Sequence, residues 1–120
     1  MLSGVAQVDI DLEDNTGDRE YLERLRLQLE RGLKQFRPQL VVYVAGADPY
    51  EQDKLGGLSL TQTGLRERDR MVFDLCLQNG ACVAVTLAGG YAIRAEDTVT
   101  IHCNTAKVAG EVMALRRRAR

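Results

Sequence analysis

Residues 40–57 read LVVYVAGADPYEQDKLGG, and the rest of the chain is arranged around them. The run from Leu40 to Val44 is apolar without alternation, the pattern of a parallel strand covered on both faces. Asp48 therefore emerges where that strand should end. In open parallel α/β sheets ligands gather in the crevice outside the carboxyl ends of the strands, so the position suits chemistry. A second apolar run, 82–87, leads into AGGY at residues 88–91. If the two strands are parallel, Asp48 and Tyr91 share one rim.

Upstream of this stretch, Val8, Ile10 and Leu12 alternate with Gln7, Asp9 and Asp11, a period of two that predicts a strand with one polar face. The turn-rich EDNTG at 13–17 leads to Asp18, which the pattern assigns as the N-cap of a helix over 19–36. Leu22, Leu25, Leu29, Leu33 and Phe36 form its apolar stripe, and Pro38 stops it. Downstream, Thr61 or Thr63 caps a helix over 64–78. Leu65, Val72, Leu75 and Cys76 face inward there, while Arg66, Glu67, Arg70 and Asp74 face out. Asn79-Gly80 ends it, because glycine adopts the left-handed conformation without penalty. Ile101, Thr105, Val108, Val112 and Leu115 mark a last helix. The expected order is βαβαβα: a three-layer α/β/α unit with a parallel sheet and helices on both faces, one domain over residues 1–120. Three strands make a small sheet for such apolar centres, which implies that the unit lies against more protein.

Composition narrows the function classes. Sixteen basic and seventeen acidic residues give a formal charge of -1, which offers no footprint for nucleic acid or an anionic membrane. Arg116, Arg117, Arg118 and Arg120 complement the dipole of the last helix. No apolar run approaches the roughly 18 residues of a membrane span, and the first residues have no leader pattern, so a cytoplasmic protein is expected. Cys76, Cys82 and Cys103 lack CxxC spacing and are odd in number, and are expected to be buried free thiols. With His102 as the sole histidine, the chain cannot supply a histidine-rich zinc site by itself.

Three loops follow the expected strands and offer Asp14, Asp48, Glu51, Asp53 and Tyr91. Asp48, between Gly46 and Pro49, suits a zinc or hard-cation ligand. The alternative is an Asp-Pro turn whose carboxylate accepts local backbone N–H bonds, and spacing alone favours the turn. Tyr91 after two glycines can present its phenol to an oxyanion, or be a half-buried tyrosine whose neighbouring glycines serve backbone torsion. Gly89-Gly90 has neither Walker nor dinucleotide spacing.

Five segments taken in order carry a resemblance: TGD and YL within 16–22, FRPQLVVYVAGADPYEQDKLGGLSLT at 36–61, GLRERDR at 64–70, AGGY at 88–91 and DTVTIHCNT at 97–105. Together they resemble the zinc-dependent histone deacetylase family, most closely its bacterial and class IV-like members, whose fold is shared with arginases and acetylpolyamine amidohydrolases. The resemblance implies that Asp48 is one of three protein ligands of a catalytic zinc. Tyr91 would hydrogen-bond the substrate carbonyl and then the oxyanion, while Leu55, Gly89 and Gly90 would line the acyl-lysine channel. It also implies that an adjacent histidine pair and an Asp-x-His segment lie upstream of Val5, so that this chain corresponds to the C-terminal part of the fold. Hydrolysis of an acetylated lysine or polyamine would then need a complementary N-terminal half, and the isolated chain would be inactive. The alternative is a non-catalytic module that self-associates as a homodimer or binds another partner.

Overall fold

The structure is a computed structural model that describes residues 7–118. Its elements are α1 (Asp18–Phe36), β1 (Leu40–Gly46), α2 (Gln62–Gln78), β2 (Cys82–Ala88) and α3 (Ala95–Arg118). Strands β1 and β2 pair in parallel, from Leu40 opposite Cys82 to Gly46 opposite Ala88. This is the mixed helix and strand arrangement expected of an α/β chain. Among the described residues, however, the sheet has two strands and the order is αβαβα.

The strand expected at Val8, Ile10 and Leu12 is not there. Residues 7–12 carry no regular structure, and Val8 is exposed. Alternation gives a segment two faces but no ladder partner, and a strand is stabilised by the cross-strand pairs it makes. Ile10 and Leu12 instead border a shallow groove with Tyr21 and Leu25 of α1.

Asp18 also differs from its expected role. The N-cap of α1 is Gly17, with no side-chain cap. The Asp18 carboxylate reaches across to the start of α2, where it accepts from Thr61 N at 2.8 Å and Thr61 Oγ1 at 2.6 Å. Thr61 in turn caps α2 by accepting from Gly64 N at 2.9 Å. A Cβ on Gly64 would lie 2.0 Å from Asp18 Oδ1, so the first turn of α2 admits only glycine beside this carboxylate. The other end of α2 is as expected, with Gly80 at φ +79° completing the turn into β2.

The helices pack on one face of the sheet, covering it along β1 and at the start of β2, while Val85 and Leu87 further along β2 stay exposed. Val41, Tyr43 and Val83 point into two apolar clusters that include Leu33 of α1, Val72, Phe73, Leu75 and Cys76 of α2, and Val108 and Val112 of α3. Burying each of the larger aliphatic side chains contributes about 1.5–3 kcal/mol. The opposite face is bare. Leu40, Val42 and Val44 are 59–60% exposed, and Cys82, Ala84 and Thr86 beside them are also exposed. The second helical layer of the expected three-layer arrangement is thus absent among the described residues. Cys76 is buried, but Cys82 lies on this bare face and Cys103 is also exposed, contrary to the expectation for both. No helix among the described residues is long and apolar enough to cross a membrane.

Inside the helical layer sits a polar knot. Asp69 is 1% exposed. Its Oδ1 accepts from Tyr43 Oη at 2.5 Å and from Arg68 Nε and Nη2 at 3.2 and 3.0 Å. Its Oδ2 accepts from Thr105 Oγ1 at 2.5 Å. Arg68 is buried as well, and Nη1 donates to Gly46 O at 2.7 Å. Burial disfavours the Arg68 charge, but Tyr43 and Asp69 outweigh it and raise its pKa. One buried ion pair therefore joins β1, α2 and α3, and it holds the last carbonyl of β1 directly before the central loop.

Candidate functional site

The site is assembled where β1 and β2 end. Parallel pairing brings residues 46–57 and 88–93 out at the same edge, and Ala47 N donates to Ala88 O at 3.0 Å to prolong the pairing. The first loop is firmly seated. Tyr50 is buried, and its hydroxyl donates to Asp97 Oδ2 at 3.0 Å. Leu60 N donates to Pro49 O at 3.0 Å and Glu51 N to Leu60 O at 2.8 Å.

Asp48 stands exposed on this frame. Asp48 and Pro49 lie in a backbone turn closed by Tyr50 N donating to Ala47 O at 3.2 Å, but among the described residues the Asp48 carboxylate accepts no hydrogen bond. Glycines flank it closely. A Cβ on Gly46 would lie 2.6 Å from Asp48 Oδ1, and one on Gly89 would lie 3.6 Å from Asp48 Cγ. Gly89 and Gly90 have φ of +60° and +111°, and a Cβ on Gly90 would meet Thr98 Cγ2 at 2.5 Å. Both torsion and space thus require glycine before Tyr91. Tyr91 and Leu55 are exposed, and they border an open groove of about 490 Å³ with Gly90, Ala92, Thr98 and Val99. The five residues singled out by resemblance, Asp48, Leu55, Gly89, Gly90 and Tyr91, therefore lie on one rim.

Asp53 joins the two loops. This buried carboxylate accepts from Leu55 N at 2.9 Å, Gly56 N at 2.8 Å and Tyr91 N at 2.8 Å. Burial works to raise its pKa, but the three backbone N–H bonds prevail and lower it. In the sequence Asp53 is one of five loop residues and its spacing assigns it no role. The signal available was an acidic residue just before a Leu-Gly-Gly turn. His102 lies beside the same loops, with Nε2 3.4 Å from Gly89 O, and its Nδ1 is buried without a partner among the described residues.

A zinc ion needs three or four protein ligands. At this rim Asp48 is the free carboxylate set between the ends of the two strands. No group of three His, Cys, Asp or Glu side chains among the described residues is placed to hold a metal. The donor set in hand fits one corner of a zinc site and does not complete it.

Residues 3–106 match the histone deacetylase domain family. This chain belongs to the histone deacetylase family. Among its relatives is an uncharacterized protein of the cyanobacterium Picosynechococcus, 39% identical over 107 residues, which are 89% of this chain and 36% of that protein. Histone deacetylase 2 of Arabidopsis thaliana is 33% identical over 82 residues, 68% of this chain and 21% of that protein. A probable deacetylase of Archaeoglobus fulgidus is 33% identical over 88 residues, 72% of this chain and 24% of that protein. This histone deacetylase family chain thus spans about a third or less of the length of the relatives it matches.

Proposed function

We propose that the chain supplies the C-terminal part of a zinc-dependent, class IV-like deacetylase centre that hydrolyses an acetylated lysine or polyamine. The observation that carries this reading is the meeting of an unpartnered Asp48 with Gly89, Gly90 and Tyr91 at the carboxyl end of a parallel pair. Asp48 is one zinc ligand. Tyr91 stands free to donate its phenolic proton to the oxygen on which negative charge develops. Leu55 and the two glycines bound the channel for the acyl-lysine stem. Zinc, when bound, polarises the amide carbonyl and activates water. The remaining ligands and the proton-handling histidines come from a complementary N-terminal half, and without it the chain is inactive. The bare, apolar sheet face supports such a partner, because both faces of a parallel sheet are ordinarily covered.

The test is to measure zinc retained per chain, alone and with a deacetylase segment that carries the histidine pair and Asp-x-His. Zinc held only in the mixture and lost in Asp48→Ala, with hydrolysis abolished by Tyr91→Phe, is the expected result. A mixture that binds no zinc refutes the reading. The second reading is a non-catalytic module that forms a homodimer, and it rests on the same bare face. Light scattering decides between them: a monomeric mass at high concentration removes the homodimer.

A further inference from the structure

Tyr91 can serve an oxyanion only if its backbone is held at a fixed distance from Asp48, yet it sits in a loop next to two glycines in the left-handed region. Its side chain is exposed and does not anchor it. What holds it is the segment 52–56. Tyr91 N donates to Asp53 Oδ2 at 2.8 Å, and Tyr91 O accepts from Lys54 N at 2.9 Å. Ile93 N donates to Gln52 O at 2.9 Å, and Asp53 and Ala92 form an antiparallel bridge. The other oxygen of Asp53 is committed to Leu55 N and Gly56 N. Gly56 in turn lies against Asp48, where a Cβ would come within 2.3 Å of the Asp48 carbonyl oxygen. One carboxylate thus reaches the channel leucine, the tyrosine, and the turn packed on the aspartate.

We propose that Asp53 is a positioning residue for Tyr91, a clasp that fixes the 89–93 loop against the 46–57 loop through three backbone N–H bonds. Ionised, a carboxylate is acceptor-only and can satisfy all three donors. An amide cannot: asparagine turns an NH2 either toward Tyr91 N–H or toward the Leu55 and Gly56 pair, setting donor against donor. Asp53→Asn therefore opens the clasp with almost no change of shape. The catalytic meaning of the clasp rests on the deacetylase reading of Tyr91, but its geometry does not.

The experiment is residue-resolved amide hydrogen exchange by NMR on the full chain. In the wild type, the amides of Tyr91, Leu55 and Gly56 should be protected as one set although all three lie in loops. In Asp53→Asn, protection at Tyr91 should fall tenfold or more, while Val72 and Leu75 in α2 keep theirs. Equal protection at Tyr91 in both proteins overturns the proposal, and so does a loss shared in equal measure with α2. If Asp53→Asn does not fold, the wild type still decides, because fast exchange at Tyr91 overturns the clasp. Tyr91→Phe should leave the exchange pattern unchanged. Failure of Tyr91→Phe to impair an assembled deacetylase would count against the catalytic reading alone.

Discussion

Replacing Thr105 with valine tests whether the knot around Asp69 stabilises the fold. The two side chains have nearly the same shape, so the change removes one donor. Thr105 Oγ1 is the partner of Asp69 Oδ2, whereas Oδ1 is shared by Tyr43 and two nitrogens of Arg68. With both residues 1% exposed, water cannot take the place of the lost hydroxyl. An ionised oxygen left without a partner costs more than the hydrogen bond itself contributes, so Thr105→Val should destabilise by about 2–3 kcal/mol. Thr105→Ser keeps the donor and loses one methyl, about 1 kcal/mol. Tyr43→Phe leaves Oδ1 still doubly bonded to Arg68 and should cost about 1 kcal/mol. Urea unfolding followed by circular dichroism gives the order directly, provided the slope m is unchanged. Thr105→Val within about 0.5 kcal/mol of wild type, or no worse than Thr105→Ser, would refute the reasoning.

Other outcomes follow from the same structure. Burial first, and then the Asp69 carboxylate, raise the Tyr43 pKa well above that of an unfolded tyrosine, although Arg68 acts the other way. Its contribution to stability is therefore complete below about pH 10 and is lost as pH rises past it; Tyr43→Phe should flatten that alkaline decline in unfolding curves. Thr61→Ala removes the α2 cap and the hydroxyl bond to Asp18, leaving only the Thr61 backbone N–H on that carboxylate, and should cost about 1–2 kcal/mol in the same urea assay. Val42→Lys on the bare face should change the stability of the isolated chain by no more than about 0.5 kcal/mol. The same substitution should abolish capture of a complementary deacetylase segment in a pull-down, and retained capture would show that the partner docks elsewhere.

Much of the architecture was readable from local signals. The stripe of α1, Thr61 before α2, Asn79-Gly80 after it and the apolar runs of both strands each carry their meaning within a few residues. Asp48 and Tyr91 could be placed on one rim because parallel pairing follows from a strand-helix-strand order. Charges whose partners are distant in sequence could not be read. Arg68 and Asp69 look like part of a solvated RERDR face, and only the fold brings Tyr43 and Thr105 to them. The 7–12 segment shows the converse error, since its alternation is genuine and a ladder partner is lacking. Asp53 lay in plain view, but its three donors come from two loops and are backbone groups, which side-chain patterns do not display.

The parallel ladder also bears on the order in which the chain folds. Every rung between β1 and β2 joins residues separated by the whole of α2 and its flanking loops. The entropy of closing that span is lost before any rung forms, and non-local pairing of this kind is slow. Helix α2 touches α1, α3 and both strands, so it is the surface on which the rest can condense. Weakening its first turn at Thr61 should therefore chiefly slow folding, whereas changes on the bare face of the sheet should leave both rates nearly unaltered.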